Sequence, residues 1–309
     1  MLANFFGKSN PINFVVIIGF FFCCFFIAVF NSFQENVFAE NPILTIGGML
    51  ILFLSIIYFF HLIVTKTKLT FDNSYALLLF IVFLGFFSKE LLDLKMLILF
   101  LLHILFLKKL YSLKYSKTIF QILFDSGLFL GVLFILEPFS IIYIVLLYTA
   151  IYLYHKIIIR TLIIPIVGFL VPLIFYVTYH FWQDTLNDFL QLFYFLPNYN
   201  EFIYLKDQFL IPLLCIGFCT VGSLLLKTPL VISINNKFRK SWILLIFNLC
   251  ISVCFVLILP QKNGSELLFF LFPVAIIVAN GIETIANTIL KDVILVFLIL
   301  CSLLVPFLL

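Results

Sequence analysis

The sequence predicts an all-α fold: a polytopic transmembrane helix bundle of about eleven spans, ten being the alternative count. The N-terminus is expected in the cytoplasm and, for eleven spans, the C-terminus outside. Three observations predict this. Apolar residues make up 65% of the 309-residue chain and charged residues 10%, with a mean hydropathy of +1.28, whereas soluble domains carry roughly half and a quarter. Windows apolar enough to cross hydrocarbon, about 20 residues for roughly 30 Å, recur along the whole chain. Basic and acidic loops alternate between them, placing 14 of the 18 Lys and Arg on one side and 10 of the 14 acids on the other.

The windows lie near 12–30, 43–64, 73–88, 91–107, 118–136, 139–154, 161–180, 208–226, 242–260, 267–286 and 292–309. The third, fourth and sixth are short, which is the source of the alternative count. No small-residue cleavage site follows the first window, so an uncleaved first helix is expected rather than a signal peptide. Lys and Arg in short loops resist translocation. The loops with Lys66 and Lys68, with Lys108, Lys109, Lys114 and Lys117, with Lys156 and Arg160, and with Lys227, Lys237, Arg239 and Lys240 are therefore cytoplasmic. The outward loops carry Glu35 and Glu40; Lys89, Glu90, Asp93 and Lys95; Glu137; Asp184, Asp188, Glu201 and Asp207; and Lys262 with Glu266.

One membrane-embedded domain, 1–309, is expected, because no hydrophilic run exceeds about thirty residues. The outward stretch 181–207 places Trp182, Leu186, Phe189, Leu190 and Phe193 at helical spacing, with Asp184, Asn187, Asp188 and Gln191 opposite. It reads as an amphipathic segment in the outer interface, an anchor ahead of a lid. The location implied is the bacterial cytoplasmic (inner) membrane.

Polar groups are costly in hydrocarbon, so they mark where function is sought first. Asp125, two turns into the fifth span, has Gln121 one turn before it, and Gly127 with Gly131 give the spacing that lets another helix approach closely. Asp125 is either an ion, proton or substrate contact or a carboxylate paired with a lysine such as Lys108 or Lys117. Asn280, Glu283 and Asn287 share a face at the cytoplasmic end of the tenth span and read as a solvated terminus. Asn248 reads as interhelical glue. His61, His103, His155 and His180 contain no i, i+4 pair, and His180 falls at the opposite end from the others, so no four-His metal site is expected. The seven Cys, including Cys215 with Cys219 and Cys250 with Cys254, sit in apolar windows and read as small hydrophobes. No cofactor, metal or nucleic-acid partner is expected.

The first outward loop, Asn31-Ser-Phe-Gln-Glu35-Asn-Val-Phe-Ala-Glu40-Asn-Pro42, sets carboxylates directly after the first span. This layout resembles the type C glycosyltransferases, polytopic enzymes that use an acidic residue of the first outward loop with a polyprenyl-phosphate sugar donor. The segment from Asp125-Ser-Gly-Leu-Phe-Leu-Gly131 through Glu137 to Arg160 is similar to the Gly-containing middle helices of that superfamily. The resemblance implies Glu35 or Glu40 as the base for the acceptor hydroxyl. Lys89 and Lys95 would face the donor phosphate, with Glu90, Asp93, Asp125 and Trp182 as further substrate contacts. The chain lacks the Asp-Asp or Asp-Glu pair of that loop and has no outward Arg, the side chain that grips phosphate with two parallel bonds. It also resembles multi-pass inner-membrane families of AT-rich bacteria, a likeness that implies no activity.

Three classes follow, in this order: an enzyme on a lipid-linked substrate, with a cavity open sideways to lipid; a non-catalytic accessory subunit presenting a small-residue face to another membrane subunit; and a transporter with a polar site near the midplane. The partners implied are membrane lipids, a polyprenyl-phosphate-linked substrate and other membrane subunits.

Overall fold

The computed structural model describes residues 2–34, 42–87, 92–115, 118–154, 157–194, 204–233, 236–260 and 262–308. Helices occupy every predicted window: α2 (Pro11–Gln34), α3 (Pro42–Thr67), α4 (Tyr75–Phe86), α5 (Leu94–Ser112), α6 (Ile119–Leu136), α7 (Tyr143–Tyr154), α8 (Ile159–Trp182), α10 (Asp207–Ser233), α11 (Asn236–Ile258), α12 (Leu268–Thr284) and α13 (Thr288–Leu308). Two short helices, α1 (Leu2–Phe6) and α9 (Leu186–Gln191), complete the set, and no strand occurs among the described residues. Eight of the helices are long and apolar enough to cross a membrane; α4 and the Pro138–Tyr154 segment containing α7 are apolar but shorter.

The chain divides into two compact units, Met1–Leu97 with Asn200–Arg239 and Lys262–Leu309, and Ile98–Tyr199 with Lys240–Gln261. In the first unit α4 and α12 form the centre. All twelve residues of α4 are buried, as are those of α12 from Leu268 to Ile282. A helix apolar on every side has no face for water and is stable inside a core. α4 packs on α2, α3, α12 and α13, and α12 packs on α10. Phe60 stacks on Phe80 at 4.2 Å and meets Phe272 edge-on at 5.4 Å. The α10 and α12 backbones approach at Gly281, where a Cβ would lie 2.3 Å from the Cβ of Ser223. α13 is only 17% buried, leaving an apolar flank of the kind lipid covers.

In the second unit α6 and α8 make the closest contact. A Cβ on Gly127 would lie 2.1 Å from the Pro165 carbonyl, one on Gly131 2.5 Å from that of Phe169, and one on Gly168 2.2 Å from that of Phe124. The small-residue face expected to receive another helix is thus filled by α8 of the same chain. Tyr143 of α7, fully buried, reaches Ser252 Oγ at 3.4 Å, and Ser252 donates to Asn248 Oδ1 at 3.4 Å. Asn248 therefore takes part in a polar link between α7 and α11.

Candidate functional site

Of the expected site residues, Asp93, Lys95, Asp125 and Trp182 are among those described. Glu35, Glu40, Lys89 and Glu90 lie outside the described residues, as do His155 and Glu201. Asp93 accepts hydrogen bonds from the backbone N–H groups of Lys95 (2.9 Å) and Met96 (3.4 Å), which makes it the cap of α5. Lys95 is exposed on the first turn of that helix. Asp125 pairs with Lys109 at 2.7 Å, so its partner is a lysine of the adjacent helix, next in sequence to Lys108, one of the two candidates the sequence suggested. Trp182, at the end of α8, is 83% exposed. No group of three or more His, Cys, Asp or Glu able to hold a metal occurs among the described residues.

The polar chemistry of the first unit collects at the two ends of α12. At its start Glu266 is fully buried and accepts a hydrogen bond from the Tyr204 hydroxyl and another from the Asn263 N–H at 3.2 Å. Burial beside this carboxylate pushes the Tyr204 hydroxyl well above the usual phenol range. The Lys262 ammonium lies 5.7 Å from the Tyr204 ring centre. Lys262 is 4% exposed, and its Nζ and the Ser265 hydroxyl find no hydrogen-bond partner.

At the other end the structure corrects the sequence reading. Asn280 is fully buried and donates to the carbonyls of Leu69 (2.9 Å) and Ile276 (2.8 Å), so this end of the tenth span is no solvated terminus. Glu283 accepts from the Asn73 side chain and from the Phe71 N–H at 3.2 Å, and its other oxygen faces Lys227 Nζ at 3.5 Å. That Lys227 is 3% exposed, with its ammonium 5.0 Å from the Phe71 ring centre and 5.8 Å from that of Phe238. Only Asn287 is exposed, where its side chain accepts from Ile289 N–H and caps α13.

Asn280 and Glu283 therefore pin the loop from Lys68 to Ser74, and two cavities open on either side of it. A groove of about 630 Å³ has an apolar wall of Phe14, Val15, Tyr58 and Phe60 and a polar end with His61, Thr65, Lys68 and Asp72. Val15 and Tyr58 are 69% and 55% exposed, so the wall continues into the outer surface of α2 and α3. Lys68 ends α3 in the left-handed conformation (φ 50°), and the Leu69 N–H returns to the Val64 carbonyl at 3.3 Å. Glycine usually takes that position because a side chain there is strained. A cleft of about 410 Å³ lies against Asn4, Lys8, Tyr75, Glu283 and Lys291, and shares Phe71 and Asn73 with the groove.

Sequence reasoning missed Asn73, Lys227, Tyr204 and the burial of Glu283 and Glu266. The links concerned join positions 210, 56 and 62 residues apart and leave no local signature. The usable hint was the i, i+3 placement of Asn280 and Glu283 on an otherwise apolar helix.

Eight helices long and apolar enough to cross a membrane, with no strand among the described residues, make this a multi-pass protein of membrane type. The profile described as "Family of unknown function (DUF6427)" matches residues 1–308, and the chain belongs to that family. No curated protein and no solved structure gives a significant match.

Proposed function

We propose that this is an integral membrane protein of the bacterial inner membrane, with eleven spans and a cytoplasmic N-terminus, that takes up a lipid-linked substrate. The groove along α2 and α3 is the observation that carries this reading. An apolar wall running into lipid-facing side chains and ending at His61, Thr65, Lys68 and the carboxylate of Asp72 suits an amphiphile whose tail lies along Val15 and Tyr58 and whose head meets His61 and Lys68. A small soluble ligand would gain nothing from the open apolar wall. Lys68 is a cation in a strained backbone position, and such strain persists where surroundings or function demand it.

Transfer of a sugar from a polyprenyl-phosphate donor is the reaction class we assign, on the first-loop layout. Glu35 or Glu40 would then act on the acceptor hydroxyl. The groove is lined from the start of α2, and the loop carrying Glu35 and Glu40 comes after its last residue, Gln34, so the enzymatic part rests on that loop's sequence and the lipid part on the groove. The two parts are separable. Glu35→Gln with Glu40→Gln abolishes labelled sugar transfer from a polyprenyl-phosphate donor in membranes while leaving lipid binding intact. Unchanged transfer in the double variant overturns the enzymatic part, and a lipid-binding accessory subunit then becomes the reading. The ion pair of Asp125 with Lys109 favours the paired-carboxylate reading of Asp125 over an ion, proton or substrate contact.

A further inference from the structure

Beside the lipid groove, the 410 Å³ cleft has a different character. Its wall is polar, built from Asn4, Asn73 and Tyr75 with the charged groups Lys8, Lys291 and Glu283. The charge that counts is what remains after internal pairing. Glu283 is engaged from behind: one oxygen accepts from Asn73 and the Phe71 N–H, and the other faces the buried Lys227 ammonium. Its charge is thereby balanced within the fold by a cation that does not line the cleft. The neighbouring Asp292 is occupied as well, accepting from the Ala3 N–H at 2.6 Å. Lys8 is exposed with no ion pair, and Lys291 makes a single long hydrogen bond, 3.3 Å to the Glu283 carbonyl. Among the described residues, Lys8 and Lys291 thus face the cleft as cations without an ion pair, while the carboxylate that lines it, Glu283, is paired with Lys227. Gly7 keeps the floor narrow, since a Cβ there would come within 2.7 Å of the Ala3 carbonyl and 3.3 Å of the Tyr75 hydroxyl.

We propose that this cleft is a binding site for a soluble, phosphate-bearing anion, held by Lys8 and Lys291 with Asn4 and Asn73 as hydrogen-bond partners. Lysines act on phosphate as point charges, and side-chain amides supply the directional bonds. The volume is that of a small-molecule site. The cleft is lined by Lys8, by the loop after α3 and by the end of α12 and start of α13 with Lys291, so the anion arrives from the side the charge rule makes cytoplasmic. The loop residues Phe71 and Asn73 form one wall of both cavities, which places a soluble phosphate compound next to the head of a lipid in the groove. That two-substrate arrangement rests on the lipid reading of the groove; the anion site rests on its own residues.

The test uses the full-length protein in detergent without added lipid. Inorganic phosphate and pyrophosphate are titrated while thermal unfolding is followed, at constant ionic strength held with chloride. Wild type gains stability with increasing pyrophosphate, and to a lesser extent with phosphate. Lys8→Gln and Lys291→Gln each weaken apparent affinity about tenfold, the loss expected of one charged contact worth about 1.4 kcal/mol, and the double variant abolishes the response. Lys68→Gln, which alters the groove alone, keeps it. A wild-type response that survives in the Lys8, Lys291 double variant marks adventitious anion binding only and overturns the site, as does no response in wild type. Binding of anionic lipid to the same variants in nanodiscs is scored separately: loss of lipid binding in Lys68→Gln alone assigns the phosphate response to the soluble anion, whereas loss of lipid binding in the Lys8, Lys291 variant identifies the cleft as a headgroup site and overturns the soluble-anion assignment.

Discussion

Three buried or strained lysines show how differently one residue type is handled. Lys227 has a carboxylate partner and two aromatic rings, so removing Glu283 leaves an uncompensated ammonium in the core. Glu283→Ala is expected to cost about 3–5 kcal/mol, and pairing it with Lys227→Met recovers most of the loss. Thermal unfolding of the single and double variants checks this; a double variant as unstable as the single contradicts it. Lys262 has a ring and no hydrogen-bond acceptor. Lys262→Met is expected to hold or raise stability by about 1 kcal/mol, since desolvation of the ammonium outweighs a cation–π contact. Lys68 is strained by its backbone. Lys68→Gly relieves about 1 kcal/mol of strain while weakening lipid binding, the opposition of stability and function typical of a working site. Tyr204 adds a pH term. Its raised folded-state pKa means that its contribution is complete below the unfolded value of about 10 and is lost as pH rises above it. Tyr204→Phe therefore makes the alkaline decline in stability shallower.

Among helices, glycine position separates packing from lipid exposure. Gly127, Gly131 and Gly168 bring α6 and α8 together through backbone contact, whereas a Cβ on Gly47, Gly48 or Gly217 meets nothing within 4 Å. Gly168→Ala is expected to cost at least about 1–3 kcal/mol by overpacking. Gly47→Ala should be neutral or stabilising by up to about 1 kcal/mol through helix propensity. Equal effects in the two variants would refute the assignment of faces. The Gly127-to-Gly131 spacing was readable in the sequence because close helix contact demands small residues at one-turn intervals. That α8 is its partner was not, because the spacing says that a helix approaches and not which one; the facing Pro165 and Phe169 carbonyls identify it. Similarly, α4 and the part of α13 that follows Asp292 are both apolar runs, yet one is wholly buried and the other mostly bare. Hydropathy registers transfer out of water and is blind to whether protein or lipid replaces it. The described part of the segment 181–207 contains α9 and the exposed Phe181, Trp182 and Tyr194.

For the molecule as a whole, helix positions were legible because each window must satisfy its own backbone hydrogen bonds in hydrocarbon, a local requirement. The candidate site was not, because it is made by contacts across more than two hundred residues: the Phe71 N–H with Glu283, and the Leu69 carbonyl with Asn280. Eleven spans place reporter fusions at the N- and C-termini on opposite faces of the membrane, and ten place them on the same face. The central claim, a lipid-linked substrate in the groove of α2 and α3, is tested most directly by photocrosslinking. A polyprenyl phosphate carrying a photoreactive group near its head is irradiated with the purified protein in nanodiscs and the adducts are mapped by mass spectrometry. Labelling concentrated in 9–15 and 58–77, and lost in Lys68→Gln, is the predicted result. Labelling spread evenly over the exposed flanks of α8 and α13 would contradict the claim.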